Sequence, residues 1–377
     1  MTATASPEND QTQPPPVRSR KERSSVADVS SVLGALSPKR VSVLYLLVLI
    51  VVIFGITIPD LFLSEITFQS VARSQAIVGI LALAALLPFV AGEFDISLGT
   101  NLALSVILVA WMSNNHPGLG VWTMCLIAVL VSAFVGLVNG ILVGKLGINS
   151  FIATLGTSQI LAAIALKISN NEQVLSSLPQ TFEDLGQGRT FGVPNGLFVT
   201  LALGLLVWYV LQYTKVGRHL YASGFNREAA RLSGVRTERV VIGSFVAAGA
   251  VAGLAGVVFI AQVGTFNNSI GMPFLFPAYA AVFLGATQFN LRPNVWGTLL
   301  AIFTLALGVQ GLQLSSSGSG FWITPLFNGI ALVAAVMFSR RQNARTTTQV
   351  EPTDPAGPHP TDLAADNPTT GRDPQAL

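Results

Sequence analysis

Val240 to Val263 reads VVIGSFVAAGAVAGLAGVVFIAQV, with no ionisable side chain in the whole stretch. As a helix it would rise about 36 Å, at about 1.5 Å per residue. That exceeds the roughly 30 Å hydrocarbon core of a bilayer. Gly249 and Gly253 fall one turn apart on the same face. In lipid, where apolar burial gives helices no reason to associate, small residues at that spacing let two backbones pack closely. The stretch predicts a membrane-crossing helix with a close neighbour.

Similar runs recur along the chain, near Val41–Ile58, Gln75–Ala91, Ser97–Met112, Gly120–Val143, Ser150–Lys167, Asn195–Tyr213, Phe276–Ala286, Val295–Leu314 and Phe321–Phe338. Several are short for a straight crossing. GLVNGILVG repeats the small-residue spacing at Gly136, Gly140 and Gly144. The 377 residues are 51% hydrophobic and 10% charged, where a soluble domain carries about 25% charge. The expected fold is therefore an all-α polytopic membrane protein of about ten transmembrane helices, some broken or re-entrant. Residues 1–40 and 340–377 are rich in Pro, Ser, Thr and charge and are expected to be disordered tails around a transmembrane body at 41–339. No cleaved signal peptide is expected, because the first apolar run is long and no small-residue cleavage site follows it. The single cysteine, Cys125, lies in an apolar run, and His116, His219 and His359 are far apart. No disulfide, metal centre or cofactor is expected.

Lys and Arg set the orientation. With ten crossings and the Arg18, Arg20, Lys21, Arg23, Lys39 and Arg40 tail inside the cell, Lys145, the 214–240 loop and Arg340–Arg341 fall on that same side. Arg73, Lys167 and Arg189 fall on the other. The bias follows the positive-inside rule and is expected to place both termini of a multi-pass membrane protein in the cytoplasm.

The inside loop, GRHLYASGFNREAARLSGVRTERV (Gly217–Val240), is dense in charge. Positive-inside bias alone accounts for some of its arginines. It also has internal order: Asn226 suits an N-cap, Arg227 and Arg231 share a face, and Gly234 suits a C-cap. The spacing predicts a short helix between Gly224 and Gly234. Ala229 and Ala230 permit close approach to a groove, and arginines can pair with acids on its rim. EAARLSG places Glu228, Ala229, Ala230 and Gly234 on the EAA---G signature of ABC-importer permeases, which this chain resembles. ASGFNREAARLSGV, GINSFIATLGT (Gly147–Thr157) and AGEFDISLGTNLALS (Ala91–Ser105) resemble the ribose, xylose and galactose type. The resemblance implies that Asn226–Gly234 is the coupling helix touching a separate ATPase subunit. It further implies an extracytoplasmic sugar-binding protein and a second permease chain as partners, besides the bilayer; no nucleic acid is implied.

The substrate path is expected where the Gln75–Met112 stretch breaks, since two acids within a lipid-facing helix are costly. AGEFD (Ala91–Asp95) and ATQFN (Ala286–Asn290) suggest an inverted internal repeat, pairing Glu93 with Gln288 and Asp95 with Asn290. Paired breaks of this kind point to a path. Phe89, Phe94, Phe289 and Trp296 offer apolar faces, and the carboxylates and amides offer partners for hydroxyls, so a neutral polyol fits. The alternative is that these residues cap helix ends at the cytoplasmic side. Relatives of the resembled type carry two glycines and an aliphatic residue before the Asp; here Ala91-Gly92-Glu93-Phe94 adds a charge and a ring.

No catalytic set of nucleophile, histidine and acid is visible. GILVGKL (Gly140–Leu146) is one residue short of a phosphate loop and lacks the Ser or Thr after Lys145. The reading is a transport subunit, with an ion-gradient-driven secondary transporter of a small polar solute as the alternative.

Overall fold

The computed structural model describes residues 42–288, 292–316, 320–331, 333, 334 and 337. The expected tails lie outside the described residues, as do Phe289 and Asn290. The first half of the chain runs α1 (Ser42–Thr57), α2 (Pro59–Phe62), α3 (Glu65–Val90), α4 (Ser97–Asn115), α5 (Val121–Gly144) and α6 (Ser150–Ser169). A connecting segment holds β1 (Val174–Leu175), α7 (Gln180–Gln187), β2 (Arg189–Thr190) and β3 (Val193–Pro194). The second half runs α8 (Asn195–Tyr213), α9 (Lys215–Phe225), α10 (Arg227–Leu232), α11 (Thr237–Val263), β4 (Thr265–Phe266), α12 (Met272–Ala286) and α13 (Val295–Ser315). A 3-10 turn (Gly320–Trp322) then leads into helical residues 323–331. The strands form two short antiparallel pairs, β1 with β4 and β2 with β3.

Seven helices, α3, α4, α5, α6, α8, α11 and α13, are long and apolar enough to cross a membrane. α1 and α12 are apolar but have only 16 and 15 residues. The chain is an all-α polytopic membrane protein with seven helices of spanning length among the described residues, where about ten crossings were expected. α3, α4 and α11 form its centre. α6 and α8 carry outward-facing Ile152, Ile160, Leu205 and Leu206, side chains that lipid solvates and water would not.

Contacts define two ends. At one, here the knob end, Tyr221 of α9 donates to the Pro293 carbonyl at 2.7 Å, and Gln288 reaches Ser42 at the start of α1. At the other, the hairpin end, β4 pairs with β1, Asn114 donates to the Leu175 carbonyl, and Arg73 donates to the Gln187 carbonyl at 2.9 Å. Lys145, Lys215, Arg218, Arg236 and Arg239 belong to the knob end, and Lys167, Arg189 and Arg73 to the hairpin end.

The glycine spacing of α5 and α11 is used as such. A Cβ on Gly136 would land on the Phe245 carbonyl, one on Gly249 on the Ser132 carbonyl, and one on Gly140 would lie 2.9 Å from the Ile242 Cα. Only hydrogen at these positions lets the two backbones touch.

An internal repeat is present, in a register other than the expected one. Gly92-Glu93-Phe94-Asp95-Ile96-Ser97-Leu98-Gly99 leads from α3 into α4, and Gly264-Thr265-Phe266-Asn267-Asn268-Ser269-Ile270-Gly271 leads from α11 into α12. Gly92 and Gly264 both leave their helices at positive φ, +85° and +69°, a region costly for residues with a Cβ. Asp95 Oδ1 accepts from the Ser97 N–H at 2.9 Å, and Asn267 Oδ1 accepts from the Ser269 N–H at 2.9 Å. Gly99 and Gly271 then meet: a Cβ on the first would lie 2.9 Å from the Gly271 oxygen, and a Cβ on the second would strike the Gly99 oxygen. Asp95 thus pairs with Asn267 and Glu93 with Thr265, in place of Asn290 and Gln288. The copies run in opposite directions between the two ends, and the first turns of α4 and α12 abut inside the bundle.

Candidate functional site

The knob is built locally. Thr214 Oγ1 accepts from the Gly217 N–H to start α9. Asn226, extended at φ −153°, ends α9 and caps α10 by accepting from the Ala229 N–H at 2.9 Å. Gly234 follows at φ +85°. The predicted helix therefore forms, with six residues. Ala230 is buried beneath it while Ala229 faces out. Arg231 pairs with Glu228 at 2.7 Å, within the helix and exposed, an arrangement worth a few tenths of a kcal/mol. Arg227 instead reaches across the molecule to Glu93 at 3.0 Å. Beneath that pair, the Gly224 backbone rests on Val90 and Gly92, where a Cβ on Gly224 would strike the Val90 carbonyl. The knob is thereby keyed to the α3–α4 loop at one salt bridge and one backbone contact.

Sequence reading missed the apolar part of this surface. Phe225 is 95% exposed and Leu232 81% exposed, on either side of the arginines. Phe225 and Leu232 are thus apolar side chains held out on an ordered, charged knob. A run dense in charge hides them from composition; their exposure shows only once the α9–α10 bend is built.

The α3–α4 loop is clamped from several helices. Phe94 N–H donates to Ser150 Oγ at 3.2 Å, and Ile96 N–H donates to Thr154 Oγ1 at 3.0 Å, both from the first turns of α6. Asp95 N–H donates to Tyr279 Oη at 2.8 Å, and the Tyr279 hydroxyl donates back to the Asp95 carbonyl at 3.0 Å. The Asp95 carboxylate, 1% exposed, also accepts from Ser97 Oγ at 2.6 Å; Ser97 Oγ accepts from Asn139 Nδ2 at 2.8 Å, and Asn139 Oδ1 accepts from Thr157 Oγ1 at 2.7 Å. A buried polar chain is stable only when its members are satisfied, and this one is satisfied among α4, α5, α6 and α12.

Phe89 and Phe94 join Tyr279 and Phe283 of α12 in a half-buried aromatic cluster, with Phe89–Phe283 centroids at 5.0 Å and Phe94–Phe283 at 5.8 Å. The structure therefore brings Phe89, Glu93, Phe94 and Asp95 together. Gln288 is elsewhere occupied. It is fully buried, accepts from the Val43 N–H at 3.3 Å and donates to Ser42 Oγ at 2.8 Å, closing the first turn of α1. Trp296 lies against Trp208 at 6.0 Å, between α13 and α8.

A cleft of about 390 Å³ opens between α3, α12, α13 and helical residues 323–331, toward the hairpin end. Ser74, Gln75, Phe274, Gln310, Thr324 and Asn328 are among its walls. No group of His, Cys, Asp and Glu able to hold a metal ion occurs among the described residues.

Comparison with known proteins places this architecture. Residues 67–338 match a family model described as the permease component of branched-chain amino acid transport systems. The fructose import permease protein FrcC of Rhizobium meliloti is 31% identical over 304 residues, covering 78% of this chain and 83% of that protein. The ribose import permease protein RbsC of Bacillus subtilis is 30% identical over 302 residues, covering 79% and 92%. The D-allose transport system permease protein AlsC of Escherichia coli is 29% identical over 277 residues, covering 73% and 82%. No solved structure matches. A helical membrane body and a family match across nearly all of its described helices lead to one assignment: the chain belongs to the branched-chain amino acid transport system permease-component family, as a transport subunit.

Proposed function

We propose that the chain is the membrane-spanning subunit of an ATP-driven importer of a monosaccharide or a similar polyol, acting as a pair of permease chains on two ATPase subunits. The knob end faces the cytoplasm, and an extracytoplasmic binding protein delivers the solute at the hairpin end. The observation that carries this reading is the keyed knob: Asn226 to Gly234, with Gly224 behind it, projects Phe225, Arg227, Ala229, Arg231 and Leu232 and is tied by Arg227 to Glu93. The excess of Lys and Arg at that end agrees with the positive-inside rule. The names of relatives, fructose, ribose and D-allose permeases, point to the solute class.

The geometry gives a route for coupling. Closure of the ATPase pair pushes on the knob. Gly224 and Arg227 transmit that push to Gly92 and Glu93, and so to a loop whose next residues, Phe94 and Asp95, touch the aromatic cluster and Tyr279. Phe89, Glu93, Phe94 and Asp95 then form the inner gate of the path, while Gln288 anchors α12 to the first turn of α1. Reversing two charges tests the reading. Arg227→Glu with Arg231→Glu should insert normally and lose both solute uptake and transport-stimulated ATP hydrolysis; uptake at the unaltered rate would refute the docking role.

A further inference from the structure

The cleft at the hairpin end lies away from every residue discussed for the gate. Among the described residues its walls contain no charged side chain. Arg73, one residue from Ser74, turns aside to donate to the Gln187 carbonyl. What the walls do contain is amides and hydroxyls, each able to donate and accept. Some are committed: Gln313 Nε2 donates to Thr324 Oγ1 at 2.8 Å, and Gln75 Nε2 to Ser74 Oγ at 3.2 Å. The amides of Gln310 and Asn328 make no hydrogen bond among the described residues, although Asn328 is only 8% exposed. An amide lining a hole inside a membrane helix bundle is costly unless water or a solute meets it. Ser70 and Ser74 stand on the outer surface of α3 one turn apart and border the same cleft. Phe274 and Pro277 supply apolar faces beside the amides. Clefts that hold small molecules run from about 300 Å³ upward, mostly apolar with a few convergent polar groups.

We propose that this cleft is the entry subsite for a neutral, polyhydroxylated solute, held by the Gln310 and Asn328 amides with its C–H face on Phe274. The inference rests on the import reading above and deepens it. Hydroxyls satisfy the free amides, the absence of charge disfavours anionic and cationic solutes, and α12 connects the two regions. Its first turns wall the cleft at Phe274 and Pro277, and Tyr279 and Phe283 join the gate. Weak holding suffices, because a solute bound tightly here would not move on.

The test uses the complete importer in cells, with ribose, fructose and D-allose as labelled probes. In a Cys125→Ser chain, Gln310→Cys and Ser74→Cys should react with a membrane-impermeant cationic thiosulfonate added outside, and a transported sugar should protect them. Ile160→Cys, on the outward face of α6, should stay unreacted. Gln310→Ala and Asn328→Ala should each raise the sugar concentration for half-maximal uptake about three- to tenfold, the loss of one hydrogen bond, with Gln310→Asn intermediate. Failure of both cysteines to react means that lipid or a second chain fills the cleft, and overturns the proposal. Labelling that no sugar blocks, with wild-type uptake by both alanine variants, overturns the subsite and leaves the importer reading standing. ATP-independent uptake, or no uptake of any probe by the unaltered chain, overturns the importer reading and the subsite with it.

Discussion

Replacing Gly136 and Gly243 by alanine, one at a time, separates packing from helix propensity. Both glycines are in long helices, α5 and α11, and both substitutions gain the same intrinsic term, about 1 kcal/mol in favour of Ala. Their surroundings differ. A methyl group on Gly136 would land on the Phe245 carbonyl and lie within 3.1 Å of the Val246 Cα. These are backbone atoms of the facing helix, so no rotamer change relieves the clash. Overpacking costs about 1–3 kcal/mol, and an immovable neighbour puts this site at the upper end. A methyl group on Gly243 would meet nothing within 4 Å. The net expectation is a loss of about 2 kcal/mol for Gly136→Ala and a gain of up to about 1 kcal/mol for Gly243→Ala, a difference of roughly 3 kcal/mol from the same chemical change. Reversible unfolding in mixed detergent micelles, followed by tryptophan fluorescence, measures both. Equal stabilities for the two variants would refute the α5–α11 backbone contact and the packing drawn from it.

Three further experiments probe the loop and its supports. Asp95→Asn keeps an acceptor for Ser97, the arrangement that Asn267 already provides for Ser269, and should cost little; Asp95→Leu leaves buried donors unmet and should cost about 1–3 kcal/mol in the same unfolding assay. Gln288→Leu removes the acceptor of the Val43 N–H, so hydrogen exchange should quicken at the first turn of α1 and stay unchanged in α11. A double-mutant cycle on Glu93→Gln and Arg227→Gln should give a coupling energy of about 0.2–1 kcal/mol that shrinks with added salt, because one partner is substantially exposed.

Much of this architecture is legible in the sequence where the physics is local. Uncharged apolar length gives α5, α8 and α11 nearly at their observed ends, and Asn226 with Gly234 gives the knob helix. Other features depend on what comes near from far along the chain. The apolar run expected from Gln75 begins ten residues earlier, at Glu65 under a Ser64 cap. That first part of α3 carries Glu65, Thr67, Gln69, Ser70, Arg73 and Ser74, and polarity concealed it from a hydropathy reading. Matching AGEFD (Ala91–Asp95) with ATQFN (Ala286–Asn290) pairs Glu93 with Gln288 and Asp95 with Asn290. The pairing that holds depends on φ at Gly92 and Gly264 and on side-chain caps by Asp95 and Asn267, features that five-letter similarity does not encode. Gly224 brackets the knob helix in sequence, and it is also the contact that seats the knob on Gly92. Ser150, Thr154 and Thr157 lie in a stretch marked by apolar length and by resemblance, and their role as clamps of the α3–α4 loop and its polar chain follows from tertiary placement.

The claim on which the functional account turns is that the α9–α10 bend grips the ATPase. Leu232→Cys and Phe191→Cys place single reactive groups on well-exposed sites at opposite ends of the molecule, 81% and 96% exposed in the native residues, in a chain whose own Cys125 is buried. With a short bifunctional thiol reagent applied to membranes containing the whole importer, Leu232→Cys should form an adduct with the ATPase subunit, and Phe191→Cys should not. An ATPase adduct at Phe191→Cys, with none at Leu232→Cys, would contradict the account.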